Sequence, residues 1–185
     1  MMLVSSREYL LWAIPVIAVS MLDIYFLTRS LLREPKKIDT RLSTVVISIG
    51  ATFGFSLVAI GIGDPAIDVP YIQVLQKVGK VLAILPYPFV IWALFCLKDC
   101  LTVVPEAHTV VANGIYKYSR HPLYVCYIVW AIGNIMMFPT LSMLIGSTAQ
   151  IIFLVVRLRL EERLLIEIFP EYQEYFNRTG FLGKR

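Results

Sequence analysis

Three clusters of residues in this chain have types and spacings suited to chemistry. The first is Arg120-His121-Pro122, preceded by Tyr116 and Tyr118 and followed by Tyr124. Proline suits the first turn of a helix, where no N–H is needed, and the residue before it avoids helical geometry. A helix is therefore expected to begin at Pro122 with His121 just outside it. The free N–H groups of that turn attract anions, and Arg120 adds a full positive charge at the same place. A carboxylate or phosphate site is one reading; an anchor at a membrane interface, where tyrosine is enriched, is the other. The second cluster is Arg157 and Glu161. At 100° per residue both fall with Leu164, Leu165 and Ile168 on the apolar face of a helix, while Arg159, Arg163 and Glu167 share the opposite face. Charges on a buried face need partners, so these two either pair with each other across one turn or line a cavity. The third is His108. Two histidines without a nearby cysteine or aspartate cluster make a poor metal site, and no metal is expected. Cys96, Cys100 and Cys126 have no zinc-type spacing and are expected to be reduced packing residues.

The elements that must position these residues are mostly apolar. Of the 185 residues 58% are hydrophobic and only 16% charged, with mean hydropathy +0.72, whereas soluble domains run to about a quarter charged. Apolar runs lie at 9–28, 42–62, 81–97, 123–138 and 141–156, and a span needs roughly 20 apolar residues. The expectation is an all-α membrane protein with about five transmembrane helices. The last two form a tight hairpin about Pro139-Thr140, and an amphipathic cytoplasmic C-terminal helix follows. Pro86 and Pro88 are expected to kink the third span. Gly50 and Gly54 have the spacing of a close helix contact. Pro170 is expected to break the helix that runs on from the fifth span through 157–168. The first run is too long for a cleavable signal peptide and starts beside Arg7 and Glu8. Asp23, the one acid in that run, reads either as a functional residue or as a partner for Arg29. The basic loop after the first run (Arg29, Arg33, Lys36, Lys37, Arg41) places that side in the cytoplasm. The N-terminus is then outside, an external loop covers 63–71, and the C-terminal tail with Lys184 and Arg185 is inside. The net charge of +4 flanks spans, where it sets topology and meets anionic headgroups, so nucleic acid is not an expected partner.

The stretch "HTVVANGIYKYSRHPLY" (108–124), followed after a hydrophobic hairpin by "EERLLIEIFPEYQEYFNRTG" (161–180), resembles the isoprenylcysteine carboxyl methyltransferase family and its phospholipid methyltransferase relatives. That family pattern runs His-x-Leu-Val, Gly-x-Tyr, Arg-His-Pro-x-Tyr, then a Glu-Glu pair and a Phe-Gly turn. The resemblance covers roughly the last 80 residues. It implies one membrane domain, with three N-terminal spans in 1–97 and a cofactor-binding core in 98–185. It also implies a cytoplasm-facing S-adenosylmethionine site, in a prokaryotic plasma membrane or the endoplasmic reticulum. The family's cofactor contacts carry onto His108, Thr109, Val110, Val111, Tyr116, Arg120, His121, Pro122, Leu123, Tyr124 and Glu161. Glu161 and Arg157 carry over as the catalytic charges, with Arg157 on the acceptor side. The implied substrate is lipid-like or prenylated, with membrane lipid as surroundings, and the favoured reaction is methylation of a prenylcysteine-like carboxylate. A phospholipid amine or small thiol as acceptor, an NADPH-dependent sterol-reductase-like enzyme and a non-catalytic membrane subunit remain alternatives. An amine acceptor would need a general base, for which His108 and His121 are candidates. The chain departs from the pattern at Cys126, where glycine is frequent, at Phe169-Pro170, and in 98–107, which lacks a tryptophan common in the family.

Overall fold

The computed structural model describes residues 6–32, 34–59, 67–68 and 70–181. The apolar runs become helices, in which every backbone group is satisfied internally, as lipid demands. They are α1 (Ser6–Leu31), α2 (Leu42–Ala59), α3 (Ile72–Ile84), α4 (Tyr87–Leu97), α5 (Pro122–Met137), α6 (Leu141–Ile168) and α7 (Pro170–Arg178). Among the described residues two helical stretches, Ile72–Leu97 and Leu141–Ile168, are long and apolar enough to cross a membrane, and Leu42–Thr52 and Pro122–Met137 are shorter apolar helices. The outer surface carries large apolar side chains: Ile14, Ile17, Met21 and Ile24 on α1, Val74, Val78 and Val81 on α3, and Leu144, Ile145 and Ile152 on α6 are all exposed. In water such a surface would associate; it fits membrane insertion.

Several expected boundaries hold, and one moves. α5 begins at Pro122, with His121 in a non-helical conformation before it. Thr140 caps α6, its hydroxyl accepting from the Met143 amide at 3.2 Å, so the hairpin turns within three residues. α6 continues unbroken to Ile168, and Pro170 opens α7. The third apolar run belongs to a longer element than its hydropathy marks. α3 starts at Ile72, because Lys77 and Lys80 dilute the apolar signal without stopping the helix, and the expected kink falls between Ile84 and Tyr87. The external loop at 63–71 lies largely outside the described residues, as do Arg33, Lys184 and Arg185.

Close backbone contacts fix the helices around α5 and α6. A Cβ on Gly79 would lie 2.6 Å from the Met137 amide nitrogen, and one on Gly133 would lie 2.6 Å from that of Ala83. Only hydrogen at both positions lets α3 and α5 approach this closely, as small residues do in membrane helix packing. Gly50 of α2 sits under the Phe153 ring of α6, where a Cβ would come within 2.7 Å. Cys126 is buried with Val90, Ala93 and Leu94 of α4; it fills the α4–α5 seam that a glycine would leave thinner. Cys96, Cys100 and Cys126 are free thiols.

On the side where α5 begins, short connections are laced together. β1 (Lys37–Ile38) pairs antiparallel with β2 (Glu106–Ala107), extended by Lys36 N–H to Ala107 O at 2.8 Å and Asp39 N–H to Pro105 O at 3.2 Å. α7 packs back on this region through Tyr172 and Tyr175, which join Ala107, Leu164 and Phe169 in one buried cluster.

Candidate functional site

Between these helices lies a cavity of about 350 Å³, within the size range of small-molecule sites. Its walls come from α1, α2, α4, α5, α6, α7 and the 98–121 connection. Of the residues expected to form a site, His108, Thr109, Val111, Tyr116, Arg120, His121, Leu123, Tyr124, Arg157 and Glu161 line it. Two of the expected residues stand elsewhere. Val110 packs against the buried cluster of Leu164 and Phe169, and Pro122 lines a separate apolar groove with Phe89, Val125 and Cys126.

The approach to α5 is shaped by a single-turn 3₁₀ segment, Gly114–Lys117. Gly114 has φ +54°, and a Cβ there would collide with the Cys96 sulfur, so glycine is required on both counts. The turn buries Tyr116. Its carbonyl accepts from the Tyr175 hydroxyl at 2.5 Å. Burial first, with the Glu161 charge adding, pushes the Tyr116 phenol well above its ordinary pKa, and burial likewise pushes Tyr175 up to about 12. Both phenols are therefore neutral hydroxyl groups, able to donate across the working pH range.

Arg120 and His121 meet a residue that the sequence reading passed over. Glu162 Oε1 accepts from Arg120 Nε at 2.8 Å and contacts His121 Nε2 at 3.0 Å. Arg120 Nη1 also donates to Phe176 O at 2.8 Å and to Thr179 O, its guanidinium stacks on the Phe176 ring at 4.0 Å, and its amide donates to Gly180 O at 3.2 Å. Ser119 Oγ donates to Phe181 O. The signal for Glu162 was the Glu-Glu pair itself: neighbours on a helix point about 100° apart. One glutamate therefore reaches the start of α5 while the other faces the cavity.

Arg157 and Glu161 satisfy both of the readings left open for them. They pair across one turn, Nε to Oε1 at 3.2 Å, and both line the cavity. Glu161 Oε1 also accepts from Tyr124 OH at 2.6 Å. Arg157 Nη1 donates to Thr52 Oγ1 at 2.9 Å and Nη2 to Thr102 O at 2.5 Å. Three elements thus hold one guanidinium, which stands 5.7 Å over the Tyr124 ring. Both hydrogen bonds to Glu161 use Oε1, so Oε2 is left for another donor. His108 Nε2 meets Glu106 Oε2 at 3.0 Å with the imidazole buried; Glu106, a second residue the sequence reading did not name, is the first residue of β2. Asp23 does not pair with Arg29, which donates to Tyr25 OH at 3.2 Å; Asp23 lines the cavity instead. No group of three or more histidine, cysteine, aspartate or glutamate residues that could hold a metal occurs among the described residues.

The arrangement is a half-polar chamber: cations, a carboxylate and phenols toward the connections, apolar walls from Leu123, Leu154 and Leu164. Residues 80–167, just under half of the chain, match the model of the isoprenylcysteine carboxyl methyltransferase (ICMT) family. The family likeness read from the motifs is therefore shown over this segment, which is similar to ICMT-family sequence. Among individual proteins, the chain is 41% identical over 81 residues to the protein-S-isoprenylcysteine O-methyltransferase of Saccharomyces cerevisiae, covering 40% of this chain and 31% of that one. It is 37% identical over 70 residues to that of Schizosaccharomyces pombe (37% of this chain, 30% of the relative). The cobalt-zinc-cadmium resistance protein CzcN of Cupriavidus metallidurans is 36% identical over 75 residues (39% of this chain, 34% of the relative). The matched segment spans about a third of the length of these relatives.

Proposed function

We propose that this protein is an S-adenosylmethionine-dependent methyltransferase that esterifies the carboxylate of a lipid-embedded, prenylcysteine-like acceptor at the cytoplasmic face of a membrane. In this reading α1, α2, α3–α4, α5 and α6 make five crossings, the N-terminus is outside, and the cavity opens toward the cytoplasm. α7 closes it as an amphipathic helix.

The chemistry of the lining residues fits such a cofactor. A carboxylate finds the N–H groups at the start of α5, beside the positive charge of the Arg120 guanidinium that Glu162 holds in place; amine and hydroxyl donors find Glu161; a flat base finds Tyr116, Leu123 and Val111. Bound there, S-adenosylmethionine supplies an electrophilic methyl group. The chain's own work is mostly orientation, since collinear alignment of acceptor, methyl and sulfur carries much of the barrier. Arg157, fixed by Glu161, Thr52 and Thr102, turns its charge toward an anionic acceptor. An ionised carboxylate needs no general base, and the apolar walls exclude the water that would compete for the methyl group.

The observation that carries this reading is the half-engaged Glu161, whose Oε1 is locked by Tyr124 and Arg157 inside the cavity. Titration of S-adenosylmethionine into detergent-purified protein tests it. Glu161→Ala is expected to weaken binding at least about tenfold, the scale of one charge-assisted hydrogen bond; unchanged affinity would sink the role. Labelled methyl groups on the product should leave as volatile methanol in base, as a methyl ester does and an N-methyl group does not.

A further inference from the structure

Besides Arg157 and Glu161, one more bonded pair of titratable side chains lines the cavity: His108 Nε2 meets Glu106 Oε2 at 3.0 Å. The pair is built into the backbone of β2. Pro105 and Ala107, on either side of Glu106, are fully buried. β1 grips the same stretch: Ile38 stands opposite Glu106, the Lys36 amide donates to Ala107 O, and the Asp39 amide donates to Pro105 O. Residues two apart on an extended chain emerge on the same face. Glu106 and His108 therefore share the cavity side, while Ala107 packs against Leu164 and Phe169. The His108 side chain is only 4% exposed. A carboxylate oxygen can only accept, so the hydrogen sits on Nε2, and Nδ1 of the neutral ring is left as a lone-pair acceptor. Among the described residues nothing bonds to Nδ1. The cavity wall thus contains an acceptor nitrogen whose orientation and protonation are set by Glu106.

We propose that Glu106 is a positioning residue for the cofactor: it holds His108 in the Nε2–H tautomer, so that Nδ1 accepts from an N–H or O–H of the adenosine part of S-adenosylmethionine. His108 and Val111 are three residues apart, which keeps the ring within about 10 Å of the wall assigned to the flat base. A neutral hydroxyl or amine suits a neutral imidazole, whereas a cationic ammonium is better matched by the charged Glu161. In the opposite tautomer Nδ1 would carry a hydrogen, and two donors would face each other. β1 lies outside the segment that matches the family, so the N-terminal half of the chain braces this part of the site. The identity of the ligand rests on the methyl-transfer reading; the tautomer rests on the 3.0 Å contact.

The chain has two histidines, so nitrogen NMR on isotope-labelled histidine, with the full chain in lipid bilayers, reads each ring separately, and His108→Ala assigns the signals. The wild type is expected to show a hydrogen on His108 Nε2 and none on Nδ1, and bound S-adenosylhomocysteine should shift the Nδ1 signal. In Glu106→Ala the tautomer preference is lost, and S-adenosylhomocysteine, titrated by calorimetry, binds about fivefold more weakly, the scale of one neutral hydrogen bond. Glu106→Gln, whose amide oxygen can still accept from Nε2, restores most of both. Once His108 is replaced by alanine, Glu106→Ala should cost nothing further. A wild-type His108 with its hydrogen on Nδ1 overturns the proposal. Equal losses from Glu106→Ala with and without His108 also overturn it, and make Glu106 a structural part of the β1–β2 pair. If Glu106→Ala does not fold, the wild-type spectrum still decides, because an Nδ1 signal unmoved by the bound ligand refutes the contact. A wild type that keeps the Nε2–H tautomer but binds no S-adenosylhomocysteine would sink the methyl-transfer reading and the cofactor role together. Tight binding with additive losses would sink the positioning role alone.

Discussion

Two arginine–glutamate pairs stand side by side where α5 meets α6, and they serve opposite ends. Arg120 and Glu162 are 2.8 Å apart, and the arginine is wrapped by the Phe176 ring and by carbonyls of α7 and the segment after it. Arg157 and Glu161 are 3.2 Å apart and face the cavity, and Glu161 accepts from a phenol that lines the same space. The charges are alike and the carboxylates are adjacent in sequence. What differs is how much of each is already spent. The outer pair ties α5, α6 and the C-terminal segment into one body; the inner pair is held by three elements yet keeps an oxygen available. A buried ion pair is poor evidence of net stability, but breaking one is costly.

That contrast gives the largest expected effect to the outer pair. Glu162→Ala leaves Arg120 and His121 buried beside no carboxylate and should cost about 3 kcal/mol, read as a large drop in thermal midpoint of the detergent-solubilised protein. A variant as stable as wild type would show that the outer pair is not the tie inferred here. Glu161→Gln should invert the pattern. Glutamine keeps the shape and an acceptor oxygen for Tyr124 and Arg157 but removes the charge beside a buried guanidinium, so stability should fall by about 1–2 kcal/mol, less than in Glu162→Ala. S-adenosylmethionine affinity should fall about tenfold, or about 1.4 kcal/mol. Equal thermal losses in the two variants would erase the distinction between tie and site.

The same contrast marks how far the sequence could be read. Pro122 and Pro170 announce helix starts through local sterics, and the exposure of Arg159, Arg163 and Glu167 against buried Arg157 and Leu164 follows from helical periodicity alone. Those are one-dimensional facts. The start of α3 at Ile72 was hidden because Lys77 and Lys80 look polar in a hydropathy window, although lysine is a good helix former. The β1–β2 pairing was out of reach because two residues carry no periodicity, and their partner lies across the chain. Glu162 and Glu106 escaped for a related reason: each is defined by what it touches. Partner choice for a charged side chain is a tertiary property, and adjacent glutamates differ only in azimuth. Asp23 was singled out by its rarity in an apolar run, but its direction, toward the cavity and away from Arg29, depends on the rotation of α1 against α4 and α5.

Smaller perturbations sharpen the comparison at its edges. Tyr124→Phe removes the 2.6 Å hydrogen bond to Glu161 and leaves the ring in place. It should cost about 1 kcal/mol in stability and lower cofactor affinity a few-fold through a less well-held carboxylate, measured in the same titration as Glu161→Gln. A loss as large as that of Glu161→Gln would instead make the phenol itself the cofactor contact. The smallest effect belongs to a third pair, Lys37–Glu167, 2.5 Å apart but with side chains 44% and 60% exposed. It joins β1 to the end of α6 just as Arg120 joins α5 to it, so geometry alone would make it another tie. Exposure decides otherwise: water and salt screen such a pair, and ordering two long side chains offsets most of the attraction. Lys37→Ala should shift stability by no more than about 0.5 kcal/mol, and the shift should vanish in 1 M salt. A loss near that of Glu162→Ala would mean that the β1–β2 strap, and not burial of the Arg120 cluster, holds this end of the helices together.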